Sequence, residues 1–131
     1  MIKQIKYLLR EELETMPKKV VVSKFIDFVS DNLTLNNKFK VRLTNNKEGI
    51  RTTAVYNHNG TITVYIKNRA MVDILRSIAH ELVHHKQNER GELTGDPSEG
   101  ADGSNIENEA NAKAGELIRI FGRQNPEIYT L

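Results

Sequence analysis

The chain has 131 residues, of which 38% are hydrophobic and 27% are charged, as in a globular protein of one domain. A net charge of only +2, with Lys and Arg scattered, argues against nucleic-acid binding, and no apolar run is long enough to span a membrane. The absence of cysteine excludes disulfides, thiol nucleophiles and cysteine-based zinc sites.

The N-terminal part of the chain is predicted to be helical. Apolar residues recur at helical spacing over residues 2–15, and Pro17 is expected to end that helix. A second helix is predicted over residues 19–33. The N-terminus mixes both charge signs and lacks the apolar core of a signal peptide, so we expect a cytoplasmic protein.

Three strands are predicted after these helices. Apolar and polar residues alternate over residues 39–44, as in a half-buried strand. Segments 52–56 and 61–67 flank an Asn-His-Asn-Gly sequence, whose Asn-Gly pair favours the positive φ angles of a hairpin turn. We therefore predict a small, mainly antiparallel sheet.

Two further helices are predicted, joined by a glycine-rich loop. The first covers residues 70–90, with Asn68 as its candidate N-cap and Gly91 at its end. The second covers residues 106–122 and begins after Ser104 or Asn105. The fold class is therefore α+β, in one domain over residues 1–131: a helical region (1–35), a sheet (38–67) and a second helical region (70–122).

The first of these two helices carries the sequence HELVH at residues 80–84, which matches H-E-x-x-H. Residues four apart lie one above the other on a helix, so His80 and His84 can bind one Zn²⁺. Glu81 lies between them and is the candidate catalytic general base. The motif therefore predicts a zinc-dependent hydrolase.

On a helical wheel, the two histidines of this motif lie on a different side from the helix's apolar face. At about 100° per residue, His80 and His84 lie about 40° apart and well away from the apolar cluster. His85 points towards the apolar flank and is not assigned as a ligand. The apolar cluster consists of Met71, Leu75, Ile78 and Leu82.

A catalytic zinc site needs a third protein ligand. A histidine at the metzincin position is absent, since Arg90 stands there. The carboxylates of the last helix are the best source, because a packed helix fixes a ligand better than a loop does. Glu109 and Glu107 on that helix, and a carboxylate of the glycine-rich loop, all stay open at this point.

The motif, followed by Asn108-Glu109-Ala110, resembles the gluzincins, the thermolysin-like zinc metallopeptidases. This resemblance implies a minimal zincin-like domain and Glu109 as the third zinc ligand. The chain is also similar to short bacterial and phage metallopeptidases with HELxHxxQ. It departs from thermolysin-like enzymes at Lys113, where those enzymes carry an Asp that orients a histidine.

The resemblance implies an endopeptidase that acts on a peptide or protein, with Glu81 moving the proton of the attacking water. In such enzymes the strand before the active-site helix borders the cleft, and residues 61–67 fit that place, with a free edge for an extended substrate. Candidates for stabilising the oxyanion are Tyr56, His58, Tyr65 and Tyr129.

Two other interpretations remain open from the sequence. One is a zinc-stabilised binding module without catalysis, and the other is an interaction domain without a metal. Glu81 argues against the first, because a purely structural zinc site has no use for that carboxylate. The sequence leaves open the oligomeric state and whether the first 35 residues cover the cleft.

Overall fold

The computed structural model describes residues 16–131, so the helix predicted over residues 2–15 lies outside the described residues. Helix α1, Met16–Leu33, covers the predicted second helix and begins three residues earlier. A proline fits there, because the first turn of a helix has no partner for its N–H groups. The helix is followed by Thr34 in the left-handed region, with φ +53°.

The sheet has three strands in the order β1-β3-β2, with bounds Lys40–Thr44 for β1, Ala54–Tyr56 for β2 and Thr61–Tyr65 for β3. β2 and β3 form the predicted antiparallel hairpin. β1 pairs with β3 in parallel, so the sheet is mixed and not mainly antiparallel. The alternation of apolar residues identifies the strands but carries no information about their direction, which depends on the loop that crosses from β1 to the far edge.

The hairpin turn depends on one glycine. Gly60 has φ +92°, whereas Asn59 is not among the residues with positive φ, so the turn is not the two-residue type that an Asn-Gly pair favours. The Gly60 amide donates to the Asn57 carbonyl over 2.8 Å. A Cβ at Gly60 would lie 2.7 Å from the Lys38 carbonyl oxygen, so this position also needs the space that glycine leaves.

Helix α2, Met71–Glu89, begins after Ala70, whose side chain makes no capping hydrogen bond. Asn68, the predicted cap, instead lies in the left-handed region with φ +59°. At the other end, Gly91 has φ +74°, and its amide donates to the Asn88 carbonyl. The next amide, of Glu92, donates to the Gln87 carbonyl, which completes a Schellman motif.

Helix α3, Asn105–Gln124, is capped by Ser104, whose hydroxyl accepts a hydrogen bond from the Glu107 amide over 3.1 Å. Short 3₁₀ helices, Pro97–Gly100 and Pro126–Tyr129, lie before and after it. α2 packs against α1, α3 and the sheet, so the core lies around this central helix. The described chain is therefore α+β, and none of its helices is long and apolar enough to cross a membrane.

Candidate metal centre and cleft

Helix α2 presents His80 and His84 one turn apart. Their Nε2 atoms lie 3.1 Å from each other, and the two rings are almost perpendicular, with an interplanar angle of 87°. His84 is buried and His80 is half-buried. This is the arrangement expected when two imidazoles four residues apart face one ion.

The carboxylate of Glu107 on α3 closes this group. One of its oxygens lies 3.0 Å from Nε2 of His80, and the other lies 3.1 Å from Nε2 of His84. In a capping box the carboxylate at this position would turn back to the N-cap amide. Here Ser104 caps the helix, and the Glu107 carboxylate lies against the histidines instead.

His80, His84 and Glu107 fit a zinc ion by donor type and by spacing. Their ligand atoms all lie within 4.8 Å of one another, and they form the one such group of three in residues 16–131. Two imidazole nitrogens and a carboxylate oxygen are a known set for catalytic zinc, and the ligand atoms of tetrahedral zinc lie about 3.3 Å apart. We call these three residues, which could hold a metal ion, the trio.

The structure does not bring Glu109, the preferred third ligand, into the trio. Its carboxylate oxygens each lie 2.9 Å from a guanidinium nitrogen of Arg90, and one accepts a hydrogen bond from the Gln87 amide. The reason is helical phase: at about 100° per residue, Glu107 lies about 20° from buried Ala114, whereas Glu109 lies about 140° away.

The Glu109 carboxylate is stabilised in its charged form. The hydrogen bond from Gln87 is the largest influence that lowers its pKa, and Arg90 adds to it. A residue so placed cannot face the histidines without breaking these contacts. Of the alternatives that the sequence left open, the geometry therefore supports Glu107.

Thermolysin-like enzymes carry a histidine-orienting residue four positions after the ligand glutamate. Counted from Glu107 this position is Asn111, whereas counted from Glu109 it is Lys113. Asn111 lines the cavity beside His80, and the interaction of its side chain with the imidazole acts to raise the pKa of His80. Counting four residues from Glu109 leads to Lys113 and overlooks Asn111. The pKa of His80 is lowered, first by burial and then by the nearby His84.

Glu81 lies beside the trio and is 7% exposed. Burial, with a further contribution from the Glu107 carboxylate, raises its pKa to about 8. A cation in the trio would favour the charged carboxylate and act against this shift. The residue therefore combines burial, proximity to the ligands and a pKa in the range of a proton carrier.

A cleft runs along both sides of the trio. One cavity has a volume of about 460 Å³ and the other about 540 Å³, and both are lined by His80, Glu81 and Glu107. The β2 residues Ala54, Val55 and Tyr56 line the larger cavity. β3 lies between β1 and β2, so the prediction that β3 has a free edge is wrong. The edge strand at the cleft is β2.

His85 belongs to a different environment from its neighbour. It is 2% exposed, and its ring nitrogens lie 2.9 Å from the Tyr56 hydroxyl and 3.0 Å from the Asn37 carbonyl oxygen. The Asn88 side chain donates to the same Tyr56 hydroxyl. We call the side of α2 formed by His85, Asn88 and Glu89 its closed face.

The four candidates for stabilising an oxyanion are not equivalent in the structure. His58 and Tyr56 line the larger cavity, but the Tyr56 hydroxyl already contacts the closed face of α2. The Tyr65 ring lies under the Lys47 ammonium at 5.7 Å. Tyr129 lies beside Gly122 near the C-terminus and is 57% exposed. His58 is the candidate that we retain.

Comparison with known proteins adds no family to this picture. Neither the protein-family models, nor the curated proteins, nor the solved structures gave a significant match to the chain. The function is therefore inferred from the geometry of the trio, Glu81 and the cleft.

Proposed function

We propose that the chain is a zinc-dependent peptidase whose metal is held by His80, His84 and Glu107. The observation that carries this proposal is the convergence of three ligand atoms within 4.8 Å, next to buried Glu81 in an open cleft. A zinc ion held there would lower the pKa of a water towards about 7 and polarise the scissile carbonyl.

Glu81 is the proton carrier in this mechanism. It accepts the proton of the attacking water and delivers it to the nitrogen of the leaving amine, so that no proton is gained or lost over the reaction. Asn111 lies beside His80 in the cleft, and Glu81 and His84 are themselves little exposed.

The substrate class follows from the edge of the sheet. Within residues 16–131, strand β2 pairs with β3 alone, so its other edge has N–H and C=O groups that can bind an extended peptide. Cavities on both sides of the trio give room for residues before and after the scissile bond. We infer that the enzyme cleaves within peptides or unfolded segments.

The first experiment measures metal and cleavage in the same preparations. The protein is stripped of metal, reconstituted with zinc and analysed for bound zinc, and a proteome-derived peptide library is then digested and read by mass spectrometry. We expect one zinc per chain and cleavage by the wild type. Glu81→Gln should keep the zinc and lose about 10²–10⁴-fold in rate.

Two neighbouring glutamates provide a matched test of the ligand set. Glu107→Gln should weaken zinc binding by more than about 100-fold, beyond the range for groups that only support a ligand. Glu109→Gln should cost no more than about tenfold. Glu116→Gln, an exposed change on the same helix, should leave both readouts unchanged.

The possible results separate the proposal from its alternatives. Wild type without stoichiometric zinc after reconstitution would contradict the metal site and favour the interaction domain. Stoichiometric zinc with no cleavage of any library peptide would favour the zinc-stabilised binding module. Equal zinc loss in Glu109→Gln and Glu107→Gln would contradict the ligand assignment.

A further inference from the structure

Gln87 is a buried polar residue for which the peptidase mechanism has no direct use. Its side chain is 0% exposed and lies one turn after His84 on α2. Its amide nitrogen donates to the Ile106 carbonyl over 3.0 Å and to a Glu109 carboxylate oxygen over 2.8 Å. Its other terminal atom lies 2.7 Å from Nδ1 of His84.

These partners determine which way the Gln87 amide points. The Ile106 carbonyl and the Glu109 carboxylate can only accept hydrogen bonds, so the NH₂ group must face them. The amide oxygen therefore faces His84. Because an amide oxygen can only accept, Nδ1 of His84 carries the proton in that contact.

The protonation of Nδ1 has a consequence for the other ring nitrogen. A neutral imidazole with a proton on Nδ1 has a lone pair on Nε2. Nε2 is the atom of His84 that faces His80 and Glu107. Gln87 thus favours the one neutral tautomer of His84 that can bind a metal in the trio.

Glu109 prevents the terminal amide of Gln87 from rotating by about 180°, which would exchange its oxygen and its NH₂ group. Its carboxylate is held by the Arg90 guanidinium, with both oxygens 2.9 Å from the same nitrogen. If the amide were reversed, its oxygen would face the oxygens of Glu109 and Ile106, and its NH₂ group would face a proton on Nδ1. Gln87 is buried, so these unpaired contacts would be costly.

We propose that the hydrogen-bonded chain Arg90–Glu109–Gln87 positions His84 for metal binding by fixing its tautomer and ring orientation. This inference rests on the proposed metal site. It gives Glu109 a role that reaches His84 through two hydrogen bonds, by way of Gln87. Gln87 and Glu109 are positioning residues, since neither belongs to the trio. The signal in the sequence is the spacing of Gln87, three residues after a ligating histidine.

The test uses Gln87→Met, which keeps the length of the side chain but removes the strong acceptor. The ring nitrogens of His84 are observed by ¹H–¹⁵N NMR in metal-free protein, and zinc affinity is measured by competition with a chelator. Wild type should show a protonated Nδ1 on His84. In Gln87→Met this tautomer should no longer dominate, and zinc affinity should fall about 10–100-fold.

A second variant keeps the inference testable if Gln87→Met does not fold. Glu109 is 46% exposed, so Glu109→Gln should fold and leave the Gln87 amide less firmly oriented. We expect a mixture of His84 tautomers and about 2–10-fold weaker zinc binding, within the range for groups behind a ligand. Glu116→Gln should show neither change.

The two readouts separate this inference from the proposed function. An Nδ1 of His84 that carries no proton in metal-free wild type would overturn the inference, whatever the zinc content, because the Gln87 oxygen can only accept a hydrogen bond there. Unchanged tautomer and zinc affinity in a folded Gln87→Met, or in Glu109→Gln if the former fails to fold, would overturn it too. A wild type with the expected tautomer but no zinc binding would overturn the metal site alone.

Discussion

The two sides of helix α2 use the same kinds of residues for opposite purposes. On the cleft face, His80, Glu81 and His84 lie beside a further carboxylate and an open cleft. On the closed face, His85 is packed between Tyr56 and Asn37. Adjacent histidines thus differ in role because different elements pack on them: α3 on one face, the sheet and its preceding loop on the other.

The two faces of α2 differ in how completely their polar groups are paired with hydrogen-bond partners. On the closed face each group has a complementary partner: Glu89, for example, accepts from the backbone amides of Asn36 and Asn37 over 2.8 and 2.6 Å. On the cleft face, two imidazole nitrogens and two carboxyl groups converge in one place. Such convergence is costly without a cation or bound protons, as expected of a site built for chemistry.

The largest expected contrast compares His84→Ala with His85→Ala. His84→Ala should reduce zinc affinity by more than about 100-fold, because it removes a ligand of the trio. His85→Ala should leave zinc affinity within about threefold but lower the free energy of unfolding by about 2–4 kcal/mol, since it removes a buried, hydrogen-bonded ring. Chelator competition and urea unfolding of the metal-free protein measure the two effects.

The same pair of variants can break the comparison. If His85→Ala loses zinc as strongly as His84→Ala after correction for the folded fraction, the two faces are not independent. If His85→Ala has no effect on unfolding, the closed face is not the stabilising network described above.

The next largest effect is the contribution of Glu81 to the pH dependence of the free energy of unfolding in metal-free protein. Its pKa rises from an ordinary 4.5 to about 8 on folding, so the folded state disfavours the charged form. The resulting destabilisation is absent below about pH 4.5, grows as the pH rises to about 8, and is constant above that. Glu81→Gln should therefore be more stable than wild type by on the order of 3–4 kcal/mol at pH 8 and by less than about 1 kcal/mol at pH 5.

Urea unfolding of metal-free wild type and Glu81→Gln at several pH values measures this difference. Zinc should shrink the gap at pH 8, because a cation in the trio favours the charged carboxylate of the wild type. A gap of the same size at pH 5 and pH 8 would contradict the assignment of the effect to the Glu81 charge.

Much of this fold follows from local patterns in the sequence. The apolar spacing of α2 and the Ser104 cap of α3 place both helices within a few residues of their observed bounds. The pairing of the strands does not follow in this way. Alternation along β3 shows that Ile62 and Val64 are buried, but not that β3 lies in the middle of the sheet.

The site shows the same division between local and tertiary information. H-E-x-x-H predicts the facing histidines because both belong to one helix. The third ligand depends on how α3 rotates against α2, and a motif of three letters does not define that rotation. The phase of Ala110 and Ala114 does define it, and this phase places Glu107 beside the two histidines, whereas Glu109 contacts Gln87 and Arg90 nearer the end of α2.

The smallest effect tests whether Tyr56 belongs to the closed face alone. Its hydroxyl contacts His85 and Asn88, and burial raises its pKa. Tyr56→Phe should lower the free energy of unfolding by about 1–2 kcal/mol, the cost of leaving buried partners without a hydrogen bond. Tyr129→Phe, the same change at an exposed position, should cost less than about 0.5 kcal/mol.

Peptide cleavage by Tyr56→Phe then sharpens the boundary between the two faces. Because the Tyr56 hydroxyl is already engaged on the closed face, kcat/KM per folded molecule should change by less than about threefold. Loss of one oxyanion donor instead costs about 10²–10³-fold in kcat. A loss of that size, with zinc retained, would mean that the hydroxyl leaves His85 when substrate binds, so that the closed face contributes to catalysis.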